Sequence, residues 1–121
     1  MSIIGEWYTA EKKAKIEFYE CHDKVCGKIV WMQNPKDDNG RLKTDSKNPD
    51  RNKRDKSILG LNIVSGLEKT EQNKWKGGEI YNLKNGKTYS CKVTIEGDTL
   101  KLKGFLGFSV FGRTEIWIRD K

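Results

Sequence analysis

Cys21, His22 and Cys26 are the residues whose types could most readily do chemistry, as nucleophile, base or soft metal ligand. Their number and spacing argue against it. Structural zinc takes four ligands at recognisable intervals, and these three do not supply such a set. His22 is the only histidine, so a Ser/His/Asp or Cys/His site would have to be built on it. Nothing places a nucleophile beside it, and its setting reads as the exposed tip of a hairpin. With a two-residue turn at Asp23-Lys24, Cys21 and Cys26 face each other as a non-hydrogen-bonded pair, which permits a disulfide and an oxidising compartment. Two free thiols fit the odd count of 3 Cys equally well. Cys91 lies in an apolar alternation and reads as core.

Two other clusters invite a site. Asp37-Asp38-Asn39-Gly40 suggests a calcium loop, but aligning the glycine puts Pro35 at the first ligand position and Ser46 where the closing glutamate belongs. Arg51, Lys53, Arg54 and Lys56 form a basic cluster in a chain of formal charge +7, with 24 Lys+Arg against 17 Asp+Glu. Basic grooves with interleaved aromatics bind single-stranded nucleic acid. Here Asp50 and Asp55 interrupt the cluster, most aromatics lie on apolar faces or beside glycines, and no RNA-recognition signature appears. The reading is therefore no catalytic residue, metal or cofactor, and not an enzyme, with single-stranded nucleic-acid binding kept as the least favoured alternative.

The elements that would position any site are short strands. Residues 5–8, 14–21 and 25–32 read as a first strand and a hairpin, with Ile16 and Phe18 on one face and Ile29 and Trp31 on the matching face. Residues 33–57 differ in kind, holding Pro35, Pro49, Gly40, many polar residues and only Leu42 as a large apolar one. So long a connection is unusual in a small domain; it reads as a solvated loop, or as a basic flap over one end of the fold. Residues 58–67 resume an apolar pattern, with Leu61, Ile63 and Leu67 in phase, leaning towards strand. Gly77-Gly78 marks a bulge or bend in the next strand, and Asn85-Gly86 is a strong hairpin signal. Tyr89, Cys91, Val93 and Ile95 then alternate inward, followed by Leu100 and Leu102, an apolar connection at 107–112 and a closing strand at 114–119. The last strand has two possible phases, Ile116 and Ile118 inward or Trp117 and Arg119 inward.

About eight short strands without an amphipathic helix predict a single all-β domain over residues 1–121. A sheet of hairpins must deal with its edges, and closure into an antiparallel up-and-down barrel is the expected solution, with a β-sandwich the runner-up. A barrel of roughly eight strands holds side chains alone or one small ligand. No apolar run approaches the roughly 18 residues of a membrane helix. The start, Met-Ser-Ile-Ile-Gly-Glu-Trp, has no basic, apolar leader.

In this order Gly5-x-Trp7, Asp45-x-x-Asn48-Pro49-Asp50, Arg54, Gly60-Leu61, Trp75-x-Gly77-Gly78-x-Ile80-Tyr81, Asn85-Gly86-Lys87-Thr88-Tyr89, Leu100-x-x-x-Gly104 and Gly112-Arg113-Thr114-x-x-Trp117-x-Arg119 run through nearly the whole chain. The combination resembles the bacterial DUF2147 family. That resemblance implies a small exported protein, usually made with a signal peptide, for which the family establishes no activity. It points to the periplasm or outside the cell with the leader removed, or to the cytoplasm if Met1 is the native start. Gly5-x-Trp7 with a basic residue on the last strand is also similar to the lipocalin and calycin arrangement, in which the tryptophan plugs one barrel end beneath an arginine. Trp7 with Arg119 is the expected clasp, and Arg113 the alternative cation.

The function expected is binding of a small hydrophobic or amphipathic ligand such as a fatty acid. The expected cavity residues are Phe18, Trp31, Ile63, Tyr89, Val93 and Leu102, with Phe105 and Phe108 near one mouth. Tyr81 and Arg113 are the polar candidates. Residue by residue, filling a core explains the apolar positions as well. The alternative is an envelope module that uses the long loop to bind a protein. Monomer and dimer are both open.

Overall fold

Where the apolar positions alternate, the chain forms strands, because successive side chains of a strand point to opposite faces. The computed structural model describes residues 2–105 and 113–121. Its strands are β1 (Gly5–Tyr8), β2 (Ala14–Cys21), β3 (Lys24–Met32), β4 (Asn62–Glu71), β5 (Lys74–Asn82), β6 (Lys87–Glu96), β7 (Thr99–Phe105) and β8 (Arg113–Arg119). Each pairs antiparallel with the next, and β8 returns to β1, closing an up-and-down barrel. A single turn of 3₁₀ helix occurs at Arg51–Lys53, and a tight turn at Ala10–Lys12 has Glu11 and Lys12 at φ 63° and 55°.

Up-and-down winding puts alternate connections at opposite ends. One, the hairpin end, carries the tight β2–β3, β4–β5 and β6–β7 turns. The other, the loop end, carries residues 33–61 and the β5–β6 turn. Between them Trp7, Ile16, Phe18, Ile29, Val64, Leu67, Cys91, Val93, Ile95, Leu100, Leu102 and Trp117 make one buried core. Interdigitated side chains of this size fill a small barrel, so at two wall positions a Cβ would press on core side chains that must shift to admit it. A Cβ on Gly27 would meet Ile16 and Phe18 at 3.0–3.2 Å, and one on Gly78 would stand 2.6 Å from Leu67 Cδ2.

Three expectations about phase and register change. Trp31 does not share a face with Ile29: Lys15 pairs with Trp31 but Ile16 pairs with Ile29, so β3 has one extra residue there. The bulge turns Trp31 to the outer surface, 39 % exposed, edge-on to Tyr8 at 6.1 Å between ring centroids. Ile63 gives way to Val64 as the inward residue of β4. Val25 pairs with Leu67 and Gly27 with Val64, three residues of β4 against two of β3, and Gly66 at φ 74° absorbs the excess. Ile63 is left half-buried at the margin of the core. The first hairpin turns at His22-Asp23, whose φ values are 50° and 67°, one residue earlier than expected. Cys21 therefore pairs with Lys24 and Cys26 with Tyr19, and the disulfide Cys21–Cys26 crosses the outer face diagonally, its Cα atoms 6.0 Å apart.

The open question about the last strand is settled by burial. Trp117 is 2 % exposed, while Ile116 and Ile118 lie outward at 42 % and 43 %.

Candidate functional site

The two ends of the barrel are built differently. At the hairpin end the segment before β1 seals the core: Ile3 is buried and Trp7 donates its indole Nε1–H to the Ile3 carbonyl at 2.9 Å. Arg119, opposite Trp7 in the β1–β8 ladder, lays its guanidinium over the indole, with Cζ 4.1 Å from the ring centroid. The same guanidinium donates from Nη2 to the Ser2 carbonyl at 2.7 Å. Beneath Trp7, Phe18 and Trp117 pack with centroids 6.0 Å apart. A shallow surface cleft of about 450 Å³ adjoins this end, between Ile4, Glu20, Val25, Lys69 and Trp75.

Among the described residues, several apolar side chains at the loop end are only half-buried. Ile80 and Tyr89 pair across β5 and β6 in the inward phase set by Gly78 and Cys91, and both are half-buried. Met32, Ile58 and Leu83 are further half-buried apolar groups against the core. Glu115, in phase with Trp117 and opposite Leu102, contributes an inward carboxylate whose Oε1 accepts the Trp117 indole N–H at 3.0 Å. Buried Cys91 keeps its thiol protonated, its pKa pushed up to about 12 chiefly by desolvation and secondly by Glu79.

The long loop is ordered by hydrogen bonds rather than by apolar packing. Lys36 bridges to Leu42 and Thr44 to Ser57 in short antiparallel steps. Asp45, 2 % exposed, accepts from Tyr81 Oη at 2.8 Å on one carboxylate oxygen and from Asn48 Nδ2 at 2.9 Å on the other. Arg54 donates from Nε to the Asn48 carbonyl at 2.6 Å, and Asp50 caps the turn at Arg51–Lys53 by accepting from the Asn52 N–H. Burial of the phenol, then the Asp45 carboxylate, push the Tyr81 pKa up to about 12. Gly86, at φ 71°, lets the β5–β6 turn press against the Lys47 carbonyl, where a Cβ would collide. Between the loop and the wall, Asp45, Asn48, Lys53, Lys56, Leu61, Asn62 and Tyr81 line a cleft of about 190 Å³.

The cavity candidates separate accordingly. Phe18, Val93 and Leu102 are buried in the packed core. Tyr89 faces inward at the loop end, its hydroxyl held by Asn85 Nδ2 at 2.9 Å. Tyr81 points the other way from Ile80, out of the wall, to Asp45. Phe105 stands opposite exposed Ser90 and alternates with inward Leu102, which puts it on the outer phase. Trp31 and Ile63 are displaced by their bulges as described. Phe108 lies outside the described residues; the Arg113 backbone pairs with Gly104, and its side chain is likewise outside them. His22 sits exposed at its turn. Glu115 and the Asp45–Tyr81 pair had no local signal. Glu115 needed the phase of β8, and Tyr81 is 36 residues from its partner.

The family model described as "Uncharacterized protein conserved in bacteria (DUF2147)" matches residues 5–119, and the chain belongs to that family. No curated protein is matched. A solved structure similar to this one is HP1028 from the human pathogen Helicobacter pylori, described as belonging to the lipocalin family. The TM-score is 0.86 at 26% sequence identity, covering 100% of this chain and 84% of that one. The fold is thus a lipocalin-like closed barrel.

Proposed function

We propose that this protein binds a small hydrophobic or amphipathic ligand, such as a fatty acid or other lipid, at the loop end of its barrel, as a carrier or receptor rather than an enzyme. The observation that carries this reading is the asymmetry of the ends. Among the described residues, Ile3, Trp7 and Trp117 close one end with fully buried groups, over which the Arg119 guanidinium lies, whereas Ile80, Tyr89, Met32, Ile58 and Leu83 at the other are only half-buried. A packed floor beneath partly exposed apolar and aromatic groups, with a few polar atoms, is the composition of a small-ligand site. Phe18, Val93 and Leu102 are the floor in this reading, and the Tyr89 hydroxyl the group that meets a polar head. The lipocalin description of the similar bacterial protein supports the same class. The Cys21–Cys26 disulfide supports a periplasmic or secreted location.

Native mass spectrometry of protein purified from cells tests the reading, together with displacement of a fluorescent fatty-acid probe. A co-purifying lipid, or saturable probe binding weakened by Tyr89→Ala, is the expected result. Protein that is always empty and binds no probe overturns it.

A further inference from the structure

We infer that the cleft between the long loop and the β4–β5 wall is a binding site for a small oxyanion, a carboxylate or a phosphate group. It is separate from the proposed ligand site, because Tyr81 faces away from inward Ile80. Lys53 and Lys56 are three residues apart on an i→i+3 turn, closed by the Lys56 N–H donating to the Lys53 carbonyl at 3.3 Å. Both residues line the cleft.

Among the described residues some lysines of the barrel are ion-paired, Lys15 with Asp120, Lys24 with Glu68, Lys28 with Glu17 and Lys74 with Glu71, while others, such as Lys76, Lys92 and Lys103, are not. Among the described residues Lys53 and Lys56 have no such partner, although Asp50 and Asp55 flank them in sequence. Asp50 is committed to the cap of its own turn. Asp45 is the only carboxylate in the cleft lining, and each of its oxygens already accepts a side-chain donor, from Tyr81 and Asn48. The lining groups therefore sum to two ammonium charges against one carboxylate, a net +1, with the negative group turned to its own donors.

The remaining polar groups are donors too. Asn48 uses one amide hydrogen on Asp45 and Asn62 one on the Val64 carbonyl, which leaves a second N–H on each. A volume of about 190 Å³ is that of about six liquid waters, room for one carboxylate or phosphate with part of its hydration shell. Two ammonium groups and two amides around such a space suit an oxyanion, since hydrogen bonds between ionised partners are the stronger kind.

Amide NMR of the full chain, titrated with inorganic phosphate and with acetate at constant ionic strength, tests this. Saturable shifts confined to residues 45–62 and Tyr81 are expected. The Lys53→Gln/Lys56→Gln double variant should weaken binding about tenfold, and Lys47→Gln, an exposed lysine of the same loop outside the cleft, should leave it unchanged. Shifts that fail to saturate, that persist in the double variant, or that Lys47→Gln weakens as much overturn the proposal. Sedimentation with phosphatidylglycerol and with phosphatidylcholine vesicles identifies the source of the group. Capture by the anionic vesicles alone, lost in the double variant, assigns a lipid headgroup; phosphate binding without capture assigns a free anion.

Discussion

Arg119 lies over the face of Trp7, directly across the β1–β8 ladder, with its Cζ 4.1 Å from the ring centroid. The contact joins the first and last strands, and the guanidinium also holds the Ser2 carbonyl. Because Trp7 is fully buried, the cation works against a desolvated ring, where such a pair stabilises by up to about 2 kcal/mol. Arg119→Gln should lower stability by about 1–2 kcal/mol in urea unfolding followed by tryptophan fluorescence. Arg119→Lys should recover little of it, because an ammonium neither stacks nor forks. An unchanged midpoint in both variants would show the contact to be idle.

Tyr81→Phe leaves one oxygen of buried Asp45 without its donor. That should cost about 1–3 kcal/mol, the penalty for an unsatisfied buried acceptor. The pH dependence has a definite sign. The fold raises the Tyr81 pKa from 10.0 to about 12, favouring the neutral phenol. Its contribution to stability is therefore complete below about pH 10 and is lost as pH rises through about 12. Phenolate absorbance should show a late step that Tyr81→Phe removes, and a titration unaltered by the substitution contradicts the assignment.

At Gly86 the expected effect is on the loop rather than on the barrel. A methyl group there collides with the Lys47 carbonyl, and the φ of 71° disfavours any side chain. Gly86→Ala should accelerate amide hydrogen exchange across residues 44–57 and leave the middle of β6 protected. Uniform acceleration through β6 would mean instead that the substitution unfolds the sheet.

Thiol chemistry should distinguish the cysteines. Native protein should present no reactive thiol, because Cys21 and Cys26 are bridged and Cys91 is buried with its pKa pushed up to about 12. Denaturation without reductant should expose a single thiol. Reducing the bridge removes a short closed loop and should lower stability by about 2 kcal/mol on the chain-entropy account. A fast-reacting thiol in native protein, or no loss on reduction, argues against this arrangement.

Most of the barrel was legible because its information is local. Strand β6 alternates, and β2 occupies the residues its pattern predicts. What was illegible depends on where an extra residue goes. Trp31 and Ile63 look inward by alternation alone, and one bulged residue in each strand reverses or blurs that phase. The loop was hard to read for a different reason. Its composition lacks the apolar residues that signal packing, yet Asp45, Asn48 and Arg54 order it through polar contacts whose partners include a distant strand. The resemblance motif marked those three residues but not what they touch.

The seam between β1 and β8 is thin: the register pairs only Trp7 with Arg119 and Tyr8 with Ile118, against seven pairs between β6 and β7. The hairpins β2–β3, β5–β6 and β6–β7 can each form from neighbouring chain, but the seam has to bring together residues as far apart as Ser2 and Arg119, 117 positions. Closing so long a loop carries an entropy cost of about 4 kcal/mol before any reward is collected. The seam should therefore be the last part of the sheet to form and the first to open. Weakening it should chiefly speed unfolding and leave the rate of folding nearly unchanged.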